Sequence, residues 1–143
     1  MNILKNLDEK IVVEVADIAS TEIEIEEMLT KSSIKIPVEF LEIIRENSEL
    51  EISVNGDKIL RIWGAAGCIE MNEAYNIQQY LPKSWAIGDD EGGYAIVYSQ
   101  GIDGVGVYAV SFSDLDDKEK IFIAPSLFDF LVKGIGINAF INF

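Results

Sequence analysis

At 143 residues, with 25 acidic against 11 basic side chains, the chain carries a formal charge of −14 and contains no histidine. A length of this order makes a single domain, residues 1–143, whose one core buries roughly 68–70% of the surface exposed by the unfolded chain. The 49% apolar and 10% aromatic content exclude a disordered chain despite that charge, and the lack of any Lys or Arg cluster excludes direct binding to nucleic acid or to an anionic membrane.

Met1 is followed by Asn2, Ile3, Leu4 and Lys5, without the basic-then-apolar order of a secretion signal. No apolar run approaches the ~20 residues of a membrane span, and the lone Cys68 cannot form an internal disulfide. These features point to the cytoplasm. Residues 1–19 admit two readings, a strand or extended arm through Ile11, Val12, Val13 and Val15, or a helix from Leu7 to Ala19. Thr21 and Glu24 form a capping box, each satisfying the other's orphan amide, and Ile25, Met28 and Leu29 share a face of the helix over 21–31 that follows. Pro37 suits the first position of a second helix ending near Asn47, with Phe40, Leu41 and Ile44 inward and Glu39, Glu42 and Glu46 toward water.

Leu50, Ile52 and Val54 alternate up to Asn55-Gly56, and Ile59, Leu60 and Ile62 continue beyond it. Asn-Gly accepts the positive φ angles of a hairpin turn, so these residues predict an antiparallel hairpin. Gly64 and Gly67 punctuate the chain before an expected short strand at Cys68–Met71, after which Asn72 caps a helix to about Tyr80 and Pro82 stops it. Trp85–Ile87, Tyr94–Tyr98 and Val105–Val110 read as meander strands separated by glycine-rich turns, Gly101, Gly104 and Gly106 among them. After a polar loop over 113–120, Ile121-Phe122-Ile123 is followed by Pro125, which opens a helix carrying Leu127, Phe128 and Leu131. Helices at both ends with antiparallel strands between them give an α+β fold. The apolar segment 134–143 is expected to pack back on the body as a short helix or strand, a contact between copies being its rival role, so the chain is expected to be a monomer or a weak homodimer.

Without histidine, the usual neutral-pH base and metal ligand is missing, and one cysteine cannot build a zinc site. No cofactor or metal is expected, and Cys68, with no base to activate it, reads as a small core residue. Carboxylate-only hydrolysis is the enzymatic alternative, and its candidate cluster is Asp89, Asp90 and Glu91. The simpler reading of those acids is a solvated hairpin loop, with Gly92 and Gly93 supplying the turn. Trp63, Trp85, Tyr75, Tyr94 and Tyr98 either line a recognition groove or belong to the core. The composition favours a binding protein over an enzyme. Its candidate partner-binding residues are Asp89, Asp90, Glu91, Tyr94, Trp63 and Trp85, and its expected partner is a protein with a basic surface.

Several phrases resemble the SUKH superfamily, which includes bacterial immunity proteins and relatives of a yeast cell-wall-synthesis regulator. They are Ile36-Pro37 opening a helix with Phe40-Leu41, Leu81-Pro82 followed by Trp85-Ala86-Ile87-Gly88-Asp89-Asp90-Glu91-Gly92-Gly93-Tyr94, Val107-Tyr108, and Ala124-Pro125-Ser126-Leu127-Phe128-Asp129-Phe130-Leu131. The chain departs from that pattern at Asn47-Ser48-Glu49-Leu50, where the family usually has a glycine-rich segment, and at Tyr94, where it usually has a second acid. The resemblance implies an α+β fold whose bacterial members commonly block polymorphic toxins, many of them nucleases, by direct binding. The cognate toxin is then the implied partner. Eukaryotic relatives imply a regulatory or scaffold role toward signalling or envelope-synthesis proteins as the alternative.

Overall fold

A computed structural model describes residues 2–102 and 104–143. Its frame is one seven-stranded sheet whose strands lie in chain order and pair antiparallel with each neighbour. The strands are β1 (Ile11–Asp17), β2 (Ser48–Val54), β3 (Lys58–Ile62), β4 (Ser84–Asp89), β5 (Tyr94–Gly101), β6 (Gly104–Ser111) and β7 (Ile121–Ala124). The helices are α1 (Glu22–Lys31), α2 (Val38–Glu46), α3 (Ala65–Ala74), α4 (Ile77–Tyr80), α5 (Leu127–Leu131) and α6 (Ile137–Ile141). The α+β expectation therefore holds.

Of the two readings of residues 1–19, the strand is realised. Val12 and Val13 align with Ser53 and Ile52, and two register shifts then interrupt the ladder before Val15 and Asp17 pair with Glu51 and Ser48. The capping box at Thr21 forms as expected, and Ile25 and Met28 are the residues of α1 that bury. The hairpin closes through Asn55 at φ 56° and Gly56 at φ 71°. Its inward row Leu50, Ile52, Val54, Leu60 and Ile62 meets Phe40, Ile43 and Ile44 of α2 in one core. Glu39 does not face water as its helical position suggested. Its carboxylate accepts from Tyr98 Oη at 2.7 Å and from the amides of Leu127 and Phe128 at 2.8 and 2.9 Å, which ties α2 to the start of α5. Burial first, then the Glu39 charge, pushes the Tyr98 phenol well above its usual range.

The expected strand at Cys68–Met71 is instead the middle of α3, and Asn72 caps nothing. Both corrections have one cause. β3 pairs with β4 only through Arg61 with Asp89 and Ile62 with Gly88, so the rest of the β4 edge needs another partner. Asn72, buried in α3, supplies it. Its Oδ1 accepts from the Ala86 amide at 2.9 Å and its Nδ2 donates to the Ala86 carbonyl at 2.8 Å, replacing a strand with one side-chain amide. Gln78 of α4 donates to the Ser84 carbonyl in the same way. The start of α3 is held from a distance, with Ser20 Oγ accepting from the Ala65 amide and Glu49 Oε1 from the Gly64 amide. Glu49 does this from φ 50°, a conformation that favours glycine.

Segment 134–143 packs back on the body as expected. Gly136, at φ 91°, lies so close to the Ile123 carbonyl that a Cβ there would collide with it, and Phe140 of α6 sets its edge on Phe130 of α5 at 5.5 Å between centroids.

Candidate functional site

The turn between β4 and β5 draws its geometry from its own acids. Asp89 Oδ1 accepts from the Glu91 amide at 2.8 Å, while Oδ2 accepts from Arg61 Nε at 3.1 Å and Trp63 Nε1 at 2.9 Å. Asp90 Oδ1 accepts from the amides of Gly92 and Tyr94 at 2.8 and 2.9 Å, and its Oδ2 lies 3.2 Å from Lys58 Nζ. Glu91, at φ 57°, carries the chain over the top. The solvated-loop reading of these acids is thus corrected. Asp89 and Asp90 are 5% and 6% exposed, their charges consumed by internal donors, and Glu91 alone of the three stands in water.

Trp63 and Trp85 are core residues, 3% and 2% exposed. Trp63 spends its indole N–H on Asp89, whereas the N–H of Trp85 is enclosed with no oxygen or nitrogen acceptor among the described residues and lies by the Cys68 thiol. Cys68 is buried as expected, and burial pushes its thiol well above the usual range, with the Glu49 charge adding to the effect. Tyr94 is half-buried against Phe143, 4.8 Å between ring centroids. The cation beneath them is Lys58, which donates to the main-chain oxygens of Phe140 and Phe143 and sits 3.4 Å from the Phe143 ring centroid. Of the six residues singled out from sequence, the structure brings Trp63, Asp89, Asp90, Glu91 and Tyr94 to one end of the sheet and places Trp85 in the interior.

What remains open at that end is the outward row of the first three strands. Val12, Ser53 and Ile59 follow one another in register, and Glu51 stands opposite Arg61. A shallow depression of about 440 Å³ between Ser53, Asp57, Ile59 and Glu91 closes the row. Arg61 Nη1 lies 3.6 Å from Glu91 Oε1 and also faces Asp89, so one guanidinium serves several carboxylates. Glu91 is held above the usual carboxylate range by the hydrogen bond it shares with Glu51, then by partial burial and the Glu51 charge, against the pull of Arg61. The patch carries excess negative charge that an incoming cation would relieve.

A second acidic surface escaped the reading of the sequence. From Ile11 to Thr30 the chain places Glu14, Asp17, Glu22, Glu24, Glu26 and Glu27 with no Lys or Arg among them. Val12, Val15, Ile18, Ile23 and Leu29 are exposed along the same segment. The signal was present in the absence of any base between Lys10 and Lys31, but a contiguous acidic triplet is easier to see than acids spaced along a strand and a helix. Among the described residues, no group of three or more acidic, Cys or His side chains is placed to hold a metal ion, and no helix is long and apolar enough to cross a membrane.

Comparison with known families gives a match to the SMI1 / KNR4 family (SUKH-1) over residues 19–133, which takes in α1 to α5 and leaves β1 and α6 outside. A comparison with curated proteins gives no match. With most of its length matched and its helices and antiparallel sheet in the expected order, the chain belongs to the SMI1 / KNR4 family (SUKH-1).

Proposed function

We propose that the chain is an immunity-type binding protein that neutralises a cognate toxin, a basic nuclease, by direct stoichiometric contact. The observation that carries this reading is the surface charge: a formal −14, with six acids and no base between Lys10 and Lys31. A nuclease must hold a polyanion and so presents cationic surface, which an acidic protein covers in competition with the substrate. The same field raises the encounter rate, the quantity on which rapid self-protection depends. Family membership supports the reading, because bacterial SUKH proteins commonly act beside toxins.

A catalytic role finds less support. Asp89 and Asp90, the acids best placed for carboxylate chemistry, are 5% and 6% exposed and already accept hydrogen bonds from amides, an indole and a guanidinium, so both are engaged in holding the turn. The family's yeast cell-wall-synthesis regulator favours a second reading, a regulatory or scaffold module for signalling or envelope-synthesis proteins. Genomic context separates the two, since only an immunity protein is expected beside a toxin gene. The direct test adds the purified chain to the product of that adjacent gene. Nuclease activity is expected to disappear at equimolar chain, and full activity with no complex at low salt would remove the proposal.

A further inference from the structure

We propose that β1 is a docking edge, to which an extended basic segment of the partner protein adds as a further strand of the sheet. This rests on the reading that the chain works by protein contact, and it specifies where and how. β1 ends the sheet and pairs on one side only. The Asn55 amide donates to the Lys10 carbonyl, and in that antiparallel register Val12 exchanges its ladder bonds with Ser53. The N–H and C=O of Val13 therefore point to the open side. The Ile11 N–H points the same way and is already taken by the Asp8 carbonyl at 2.9 Å.

The two ends of the sheet are treated differently. At β7, Gly136 is pressed onto the Ile123 carbonyl and α6 follows it, so the tail lies against that strand. Nothing comparable lies on β1 among the described residues. Val12, Val15 and Ile18 stand 51%, 50% and 82% exposed along or just beyond it. A bare edge is ordinarily blunted by charge, and here the charge has one sign. Glu14 and Asp17 lie on the strand, and Glu22, Glu24, Glu26 and Glu27 follow it.

That sign selects the occupant. A second copy of this chain would bring its own six acids of the 11–30 segment to an edge that already carries the same six, and that like-charge approach is unfavourable. A segment alternating basic and apolar residues would instead satisfy the Val13 groups, cover Val12 and Val15, and set its cations against Glu14 and Asp17. The bulges at 13–15 and 15–17 confine the added pairing to the Ile11–Val13 end, so the cations supply the remaining selectivity.

The probe is the synthetic peptide acetyl-Lys-Val-Lys-Val-Lys-Val-Lys-Val-amide, titrated at low salt into the isotopically labelled chain. The expected result is saturable binding at one site, in which the Val13 amide shifts and its hydrogen exchange slows by about tenfold or more, while the matching Glu/Val peptide has no effect. A Glu14→Lys, Asp17→Lys chain alters only exposed side chains, and it is expected to weaken the Lys/Val peptide by about tenfold and to admit the Glu/Val peptide. Binding spread over the α1 and α2 acids with Val13 unprotected, or equal affinity in the double variant, overturns the inference. The nuclease assay separates it from the reading beneath it. A double variant that inhibits the toxin as well as the original chain removes the docking edge alone, whereas an original chain that inhibits nothing removes the proposed function alone.

Discussion

Replacing Asp89 by Ala separates a structural from a recognition role for the acidic turn. The carboxylate accepts from Arg61, Trp63 and the Glu91 amide. Arg61 is 40% exposed at its side chain and the Glu91 amide belongs to a surface turn, so water can replace much of what both lose. Trp63 cannot be rescued in that way, because its indole is 3% exposed and its N–H is left without an acceptor. A hydrogen bond to a charged group is worth about 1.5–3 kcal/mol, and an orphaned buried donor costs about 1–3 kcal/mol. With the Trp63 contribution dominant, the variant is expected to lose about 3 kcal/mol. In a chain of this size that corresponds to a Tm lowered by about 6–12 °C. Asp89→Asn keeps one acceptor oxygen and should lose about half as much, while Glu91→Ala should stay within about 0.5 kcal/mol of the original. Urea unfolding followed by tryptophan fluorescence measures all three. An Asp89→Ala chain as stable as the original, or a Glu91→Ala chain equally destabilised, would refute the assignment of Asp89 to the interior framework.

Glu39→Ala, which strips the acceptor from Tyr98 and from two amides of α5, is expected to cost about 2–4 kcal/mol in the same assay, with Glu39→Gln intermediate. Because the Tyr98 phenol is raised in the folded state, its contribution is fully present below about pH 10 and is lost as pH climbs further. Absorbance of ionised tyrosine should therefore show one of the five tyrosines titrating only as the chain unfolds. Glu91 is also raised when folded, so its favourable share exists in acid and fades as pH rises through the carboxylate range. Glu91→Gln is accordingly expected to be more stable than the original at pH 7 and equal to it near pH 3.5, as compared by thermal melts. Gly88→Ala drives a Cβ into the Arg61 carbonyl at one of the two β3–β4 pairs, and a loss of about 3 kcal/mol or more is expected from urea melts.

The parts of this fold that declare themselves in the sequence are those whose cause is local. Asn55-Gly56 writes its own turn, Thr21 and Glu24 cap their own helix, alternating apolar residues mark β2, and a continuous apolar run marks β5. α3 was misread because its cause is remote. Cys68 and Ile69 after two glycines look like a strand, and only the gap between β3 and β4 explains why a helix bearing Asn72 must lie there. The acidic turn was misread for a related reason. Three consecutive acids suggest a solvated loop until Arg61, Trp63 and Lys58 arrive from β3 and the residue after it to enclose two of them. Exposure along β1 was equally hidden, since Val12 and Val15 carry the pattern of a buried strand and owe their position to lying at the end of the sheet.

The most direct test of recognition through an acidic surface is the association rate of the chain with the proposed cognate toxin, measured by stopped flow across ionic strength. Steered encounter predicts a rate near 10⁸ M⁻¹s⁻¹ or above at low salt, falling steeply as salt is added, with dissociation changing little. An association rate of about 10⁵–10⁶ M⁻¹s⁻¹ that does not respond to salt would contradict it.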